Sequence, residues 1–221
     1  MSAVLCPDPD AAVAGIANGS TVLISGFGMA GVPVALIDAL IRQGACDLTV
    51  VANNAGNGDT GIAALLEKGR VRKVVCSFPR QSDSWVFDRM YRAGLVDLEV
   101  VPQGTLAERL RAGGAGIGGF YCRTGVGTPL ARDKETRVID GQTYVLEAPL
   151  KGDIALVRAH RADRMGNLVY RKTARNFGPV MATAATTVVV QVGEVVEIGE
   201  LDPEVIVTPG IYVDRVVQVS C

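Results

Sequence analysis

A run of closely spaced glycines is the first candidate for chemistry. The hexapeptide GFGMAG, from Gly26 to Gly31, has the spacing G-x-G-x-x-G and lies between an apolar segment, Thr21 to Ile24, and a helical pattern that follows Pro33. In that position such a run binds the pyrophosphate of a dinucleotide. The same glycines also suit tight packing of a strand against a helix, or a set of backbone N–H groups that face an anion or an oxyanion.

The second predicted strand argues against a dinucleotide. A dinucleotide fold needs Asp or Glu at the C-terminal end of this strand to bind the ribose diol. Here the strand, Leu48 to Ala52, is followed by Asn53 and Asn54, and Asp47 lies at its other end. We therefore expect that NAD(H) does not bind.

The single histidine limits the hydrolase mechanisms that the chain can use. A Ser-His-Asp or Cys-His enzyme would have to use His160. This residue follows the apolar run Ile154 to Val157, and no acidic signature surrounds it. We predict a structural histidine at the end of a strand. The five cysteines show no C-x-x-C spacing, so we expect buried, reduced thiols and no metal site.

Composition excludes two classes of partner. The chain has 221 residues, 48% of them hydrophobic, and a formal net charge of −1. That balance gives no electrostatic basis for binding nucleic acid or an anionic membrane. No apolar segment is long enough to cross a bilayer, and the first residues lack the pattern of a signal peptide. We therefore expect a cytoplasmic protein.

Strand and helix patterns alternate up to about residue 112, which predicts an α/β fold with an open, mostly parallel sheet and flanking helices. Helices are expected over 60–68, over 82–94, and from a capping box formed by Thr105 and Glu108. The glycine-rich run 113–119 is not expected to be helical. Asp140-Gly141 predicts a hairpin turn. We expect one domain over 1–221 with a β-rich insertion at about 118–175.

The longer string from Asn18 to Pro33 resembles the signature of the A subunits of family I coenzyme A transferases. That signature runs Asp/Asn-Gly, two residues, three apolar residues, Gly-Gly-Phe, three residues and Gly-x-Pro. Ser25 stands where the first Gly of Gly-Gly-Phe is usual. The resemblance extends from about residue 10 to the C-terminus. Seven further blocks follow in the family's order: Asn53 to Gly56, Pro102 to Arg109, Arg111 to Ile117, Thr124 to Thr128, Ala162 to Arg164, Gly166-Asn167, and Arg171 to Phe177.

The resemblance implies that the active site is shared with another chain. The family's nucleophile is a glutamate in a Ser-Glu-Asn-x-Gly-like segment, and no glutamate here lies in such a segment. The resemblance therefore implies a B subunit that carries this glutamate, in an AB heterodimer or an A2B2 heterotetramer. It also implies a coenzyme A thioester as substrate, with no permanently bound cofactor and no metal.

The resemblance also assigns roles to residues of this chain. It implies that Gln103 stabilises the oxyanion of each tetrahedral intermediate. It further implies that the glycine loop and the two asparagines line the acyl pocket. These substrate-binding candidates are Gly26, Phe27, Gly28, Gly31, Asn53 and Asn54.

The segment Ser77 to Ser84 looks like the branch of the family that acts on 3-oxoadipate with succinyl-CoA as the CoA donor. The acetoacetate branch carries a Gly-Glu-Asn-like stretch where Arg80-Gln81-Ser82 stands here. Because a dicarboxylate has a distal charge, its pocket needs a cation or several donors. Arg80 is the candidate cation, and Ser82 adds a hydroxyl. An acetoacetate-type substrate is the alternative, and a ligand-binding α/β module without transferase activity is a different class.

Overall fold

Strands and α-helices make up about half of the computed structural model, which describes residues 3–219. The strands are β1 (Val4–Cys6), β2 (Thr21–Ile24), β3 (Leu48–Val51), β4 (Val71–Cys76), β5 (Asp97–Val100), β6 (Phe120–Cys122), β7 (Thr136–Ile139), β8 (Gln142–Glu147), β9 (Gly152–Arg158), β10 (Arg161–Asp163), β11 (Leu168–Val169), β12 (Ala185–Val192), β13 (Glu194–Val196) and β14 (Arg215–Gln218). The helices are α1 (Pro9–Ala12), α2 (Val34–Gln43), α3 (Ile62–Glu67), α4 (Trp85–Arg92), α5 (Gln103–Ala115) and α6 (Gly178–Thr183).

One sheet of eight parallel strands has the order β1-β14-β12-β9-β2-β3-β4-β5. Its central strands are apolar runs buried on both faces, as a parallel sheet covered by helices requires. Residues of α1 to α4 pack on one face, and residues of α5 and α6 pack on the other. The predicted α/β class with a parallel sheet and flanking helices is confirmed.

The structure also confirms the hairpin, in which β7 and β8 pair and both turn residues, Asp140 and Gly141, have positive φ angles of 50° and 72°. The predicted helices over 60–68 and 82–94 are present as the shorter α3 and α4. No helix within residues 3–219 is long and apolar enough to span a membrane.

Two predictions about α5 were wrong. The helix begins at Gln103, two residues before the predicted cap, because Pro102 is extended (φ −51°, ψ 138°) and acts as the N-cap residue, while Thr105 is buried. The helix also continues through Gly113 and Gly114. Both glycines lie against backbone or side-chain atoms that leave no space for a Cβ, so close packing outweighs their poor helix propensity.

The strands within 118–175, where a β-rich insertion was predicted, belong to three different sheets. A small antiparallel sheet, β6-β8-β7, ends at Glu147. The chain then returns to the large sheet as β9, which lies between β2 and β12 although it falls within the predicted range. A second small sheet, β11-β10-β13, follows β9. The alternation of small and large sheets along the chain is not visible in the hydrophobic pattern of single strands.

Candidate active site

The loops that follow β2, β3, β4 and β5 lie at the same edge of the large sheet, because these neighbouring strands are parallel. Open α/β sheets bind ligands at this carboxyl edge. The predicted site residues all fall in these loops or at the start of α5. The topology therefore places them along one edge, in the order of the strands.

The glycine loop, defined as residues 26–31, is a tight turn held by its own backbone. Phe27 and Ala30 each donate a backbone hydrogen bond to the other's carbonyl oxygen, at 3.0 and 3.1 Å. Gly26, Gly28 and Gly31 have φ angles of 133°, 60° and 78°. A Cβ on Gly31 would lie 2.5 Å from the carbonyl oxygen of Ala174. The loop therefore requires glycine both for its conformation and for its close contact with a neighbouring segment.

Ser25 has a structural role that glycine would not have. Its buried hydroxyl donates to the carbonyl oxygen of Gly31 at 2.7 Å and accepts from the backbone N–H of Arg158 at 3.1 Å. Its φ is not positive, so this position does not need a glycine. The serine closes the glycine loop and ties it to β9.

Asn176 clamps the glycine loop from the other side. Its Oδ1 accepts hydrogen bonds from the backbone N–H groups of Gly26 (3.1 Å) and Phe177 (2.7 Å). Its Nδ2 donates to the carbonyl oxygens of Ala30 (2.9 Å) and Thr173 (2.8 Å). Sequence reasoning noticed the block that contains Asn176 but gave it no role. Its partners in the glycine loop lie about 150 positions away in the chain, so no local signal identifies it.

Asn53 and Asn54 are buried within the loop after β3. Asn53 accepts from the hydroxyl of Ser77 at 2.9 Å, and Asn54 accepts from the backbone N–H of Gly56 at 2.9 Å. Of the two, Asn54 borders a hollow beside Gly28. That hollow measures about 10 Å³, about the space of one water molecule. It is too small for an acyl group in this chain alone.

Arg80 is exposed on the loop after β4. Its Nε donates to Oδ1 of Asp88 on α4 at 2.6 Å, and no further hydrogen bond of its guanidinium is formed with residues 3–219. Ser82 is exposed as well. The neighbouring Ser84, which sequence reasoning did not select, donates to the carbonyl oxygen of Gly56 at 2.9 Å and accepts from the N–H of Gln81 at 2.8 Å. It therefore ties the loops after β3 and β4 together.

Gln103 is the first residue of α5, and its side chain is exposed. Intrahelical bonding begins with the N–H of Leu106, which donates to Pro102. The preceding N–H groups of the first turn have no intrahelical acceptor, and a helix N-terminus carries a partial positive charge. Side chain and backbone at this position therefore offer donors to a developing negative charge.

The glutamates of this chain are poorly placed to act as nucleophiles. Seven of the nine form an ion pair: Glu67 with Arg89, Glu99 with Lys73 and Arg109, Glu108 with Arg111, Glu135 with Arg137, Glu147 with Lys134, Glu194 with Arg161, and Glu197 with Arg164. None lines the hollow beside Gly28 or the two cavities that border Ala30 and Lys172 at the carboxyl edge.

The Cys76 thiol and the Tyr170 hydroxyl at this edge are both protonated near neutral pH. Burial raises the pKa of the Cys76 thiol to about 12, against a smaller lowering by the backbone of Phe78. Burial also raises the pKa of Tyr170 to about 12, although its hydrogen bond with Thr208 opposes the shift. Cys76 therefore carries no thiolate near neutral pH, and a thiolate is the reactive form. His160 lies two residues beyond the end of β9, and it is exposed at the border of a cavity.

Known proteins that resemble this chain identify its family. The family model "Coenzyme A transferase" matches residues 7–219. The chain is 66% identical to the A subunit of 3-oxoadipate CoA-transferase from Pseudomonas putida, over 95% of this chain and 90% of the relative. It is 51% identical to the A subunit of succinyl-CoA:3-ketoacid coenzyme A transferase from Xanthomonas campestris pv. campestris strain B100, over 95% and 86%.

Two solved structures share the fold. Glutaconate coenzyme A-transferase of Acidaminococcus fermentans has a TM-score of 0.84 at 22% identity, over 98% of this chain and 75% of that one. The acyl-CoA transferase YdiF of Escherichia coli O157:H7 has a TM-score of 0.86 at 22% identity, and this chain spans 47% of its length. The family model covers nearly the whole chain, and relatives at high identity agree with it, so this protein belongs to the coenzyme A transferase family.

Proposed function

We propose that this chain is the A subunit of a heteromeric CoA-transferase that moves CoA from succinyl-CoA to 3-oxoadipate. The observation that carries the proposal is the 66% identity over 95% of the chain to a subunit with that name. A second relative with the same name, from Acinetobacter baylyi, is 59% identical over 95% of this chain. The relatives named as succinyl-CoA:3-ketoacid coenzyme A transferases are less similar, with 50% and 51% sequence identity.

The chemistry divides between two subunits. A carboxylate of the partner attacks the thioester carbonyl, the C–S bond breaks, and the products are a CoA thiolate and an acyl-glutamyl anhydride. The thiolate then attacks the glutamyl carbonyl and releases the first acid, which leaves a glutamyl-CoA thioester. The second acid reverses these steps. Each attack passes through an oxyanion, and Gln103 with the first turn of α5 supplies its donors.

Arg80 is the proposed binding residue for the distal carboxylate of 3-oxoadipate. It follows β4, and Gln103 follows β5, the adjacent strand. One strand spacing is about 4.8 Å, and a six-carbon acid spans about 7 Å. Asp88 holds the Nε of Arg80 and leaves its two Nη groups for a carboxylate. Ser82, two residues on, is the proposed second donor.

Three exposed apolar side chains at the carboxyl edge support a partner subunit. Phe27, Met29 and Phe78 are 49%, 49% and 62% exposed, and clustered exposed apolar residues mark interaction surfaces. We propose that the B subunit covers them, in an AB or A2B2 assembly that also completes the acyl pocket around Gly26, Gly28, Gly31, Asn53 and Asn54. We further propose that the enzyme needs no permanent cofactor. The free cysteines are consistent with a cytoplasmic location.

The test is co-expression with a glutamate-bearing B subunit, which we expect the neighbouring open reading frame to encode. The purified complex is assayed with succinyl-CoA and a panel of 3-oxo acids. We expect the highest kcat/KM with 3-oxoadipate. A higher kcat/KM with acetoacetate would assign the chain to the 3-ketoacid branch, and no transfer to any 3-oxo acid would contradict the proposed reaction.

A further inference from the structure

One arginine of α5 is bonded to two other segments of the chain. The Nε of Arg109 donates to the carbonyl oxygen of Ala148 at 2.9 Å, and its Nη1 donates to Oε1 of Glu99 on β5 at 3.1 Å. Its backbone carbonyl oxygen also accepts from the N–H of Leu150 at 2.8 Å. The helix is therefore attached through this residue both to β5 and to the segment that precedes β9.

Glu99 accepts hydrogen bonds on both of its carboxylate oxygens. Its Oε2 accepts from the Nζ of Lys73 on β4 at 2.6 Å, while its Oε1 accepts from Arg109. Burial raises the pKa of this carboxyl group, but the hydrogen bonds and charges of Lys73 and Arg109 outweigh burial and hold the pKa below its ordinary value. Glu99 is therefore charged near neutral pH. The side chain of Arg109 is only 15% exposed, so salt screens this ion pair less than a pair at the surface.

The other contacts of α5 do not fix its orientation in the same way. Glu108 and Arg111 pair with each other within the helix. Leu106 and Leu110 are buried in the core cluster beneath the helix, but apolar contacts are non-directional. A planar guanidinium that is bonded to two elements has a defined geometry. Arg109 therefore restrains rotation of α5 about its own axis.

The rotation of α5 matters because Gln103 is its first residue. Arg109 lies less than two turns further on, about 9 Å along the helix axis. Side chains extend to about 5–6 Å from the axis, so a rotation of about 10° moves the end of a side chain by about 1 Å. A misplacement of that size can lower turnover by about 100-fold.

We propose that Arg109 is a positioning residue for the transfer reaction and holds α5 at the rotation that aims the Gln103 amide at the oxyanion. Glu99 and the carbonyl group of Ala148 are the two points to which it attaches the helix. The inference rests on the proposed function of Gln103 and adds a residue that does not line the cavities at the carboxyl edge.

The first experiment measures steady-state kinetics of the co-expressed complex with Arg109→Gln. Arg111→Gln is the matched control, because it removes an arginine of the same helix whose ion pair stays within that helix. We expect Arg109→Gln to lower kcat by about 10-fold to 100-fold. KM for both substrates should stay within about twofold, because positioning acts on the transition state. A kcat equal to that of the control would overturn the proposal.

A double variant separates positioning from a general structural effect. If Arg109 acts through the Gln103 amide, Arg109→Gln should lower kcat by less than about threefold once Gln103→Ala has removed that amide. Independent effects at separated sites multiply, so the full loss in the double variant would contradict the proposal. If Arg109→Gln does not fold, Arg109→Lys replaces it in the same comparison, since lysine keeps the charge but not the fork of donors.

A second measurement requires no turnover. Hydrogen exchange in the purified complex reports how firmly the first turn of α5 is held, through the N–H of Leu106 that bonds to Pro102. We expect this amide to exchange faster in Arg109→Gln than in Arg111→Gln. Equal exchange would contradict the proposal even if CoA transfer to 3-oxoadipate is observed. Faster exchange would support the attachment of α5 by Arg109 even if 3-oxoadipate is not the substrate.

Discussion

At the scale of single residues, Gln103 and Arg80 form the reactive end of the proposed site. Gln103 begins α5 and Arg80 follows β4, so adjacent strands present an amide and a guanidinium at the same edge. Neither side chain is buried in the core. Substitutions at these two positions should therefore change catalysis more than folding.

Gln103→Ala should lower kcat by about 10-fold to 1,000-fold, the range for loss of one oxyanion donor. KM for the acid should change little, because the amide acts on charge that develops in the transition state. Steady-state kinetics of the complex measure both constants. Gln142→Ala, at an exposed position of β8, is the control. A kcat equal to that of the control would mean that Gln103 acts through its backbone N–H alone or lies outside the site.

Arg80→Met keeps the length of the side chain and removes its charge. We expect a loss of at least about 10-fold in kcat/KM for 3-oxoadipate, because a buried distal carboxylate would lose its partner. A 3-oxo acid with a neutral tail should lose little. Stability should change by less than about 1 kcal/mol, since the ion pair with Asp88 is exposed. Arg92→Met is the matched control. Equal losses on both substrates would indicate general damage to the site.

At the scale of elements, α5 shows how packing outweighs propensity. A Cβ on Gly113 would lie 2.2 Å from the carbonyl oxygen of Leu150, and a Cβ on Gly114 would lie 2.5 Å from Oγ1 of Thr183. The segment before β9 and the end of α6 therefore rest directly on the helix backbone. Because α5 carries Gln103 at its other end, this contact sets the position of the proposed oxyanion donor.

Gly113→Ala should destabilise the chain although alanine is the better helix former. Helix propensity alone favours alanine by about 1 kcal/mol, but the overlap with Leu150 should produce a net loss of about 1–3 kcal/mol. Gly104→Ala in the same helix meets no atom within 4 Å and should be neutral or stabilising. Urea unfolding followed by circular dichroism gives both values. Equal stability of the two variants would show that the backbone at Leu150 can shift to accommodate the added Cβ at little cost.

At the scale of the whole molecule, no glutamate of this chain is placed to serve as the nucleophile of the proposed site. The paired glutamates, the exposed apolar side chains at the carboxyl edge and the small hollow beside Asn54 all fit an incomplete site. Exposed apolar side chains are what the core of an interface buries. The same edge therefore serves both assembly and catalysis in the proposed enzyme.

The purified chain by itself should transfer no CoA, because none of its glutamates borders the cavities at the carboxyl edge. Addition of the separately purified partner should restore transfer. The measurement is formation of 3-oxoadipyl-CoA from succinyl-CoA, with the two subunits first separate and then combined. Activity of the isolated chain near that of the complex would contradict the two-subunit site.

The sequence by itself determined the fold class and the family. Alternating apolar runs and helix patterns specify parallel strands with crossovers, and the string from Asn18 to Pro33 carries the family signature because its turns have local backbone requirements. It also placed the loops after β2, β3 and β4 at one edge, since parallel strands end together.

Only the tertiary structure decided how distant segments meet. Asn176 clamps a loop about 150 residues earlier, β9 lies beside β2, and Gly113 is helical because Leu150 packs against it. Arg171 and Lys172 come together with Arg158 only through that packing. Each of these contacts depends on atoms far apart in the chain, and local propensity and periodicity carry no information about such partners.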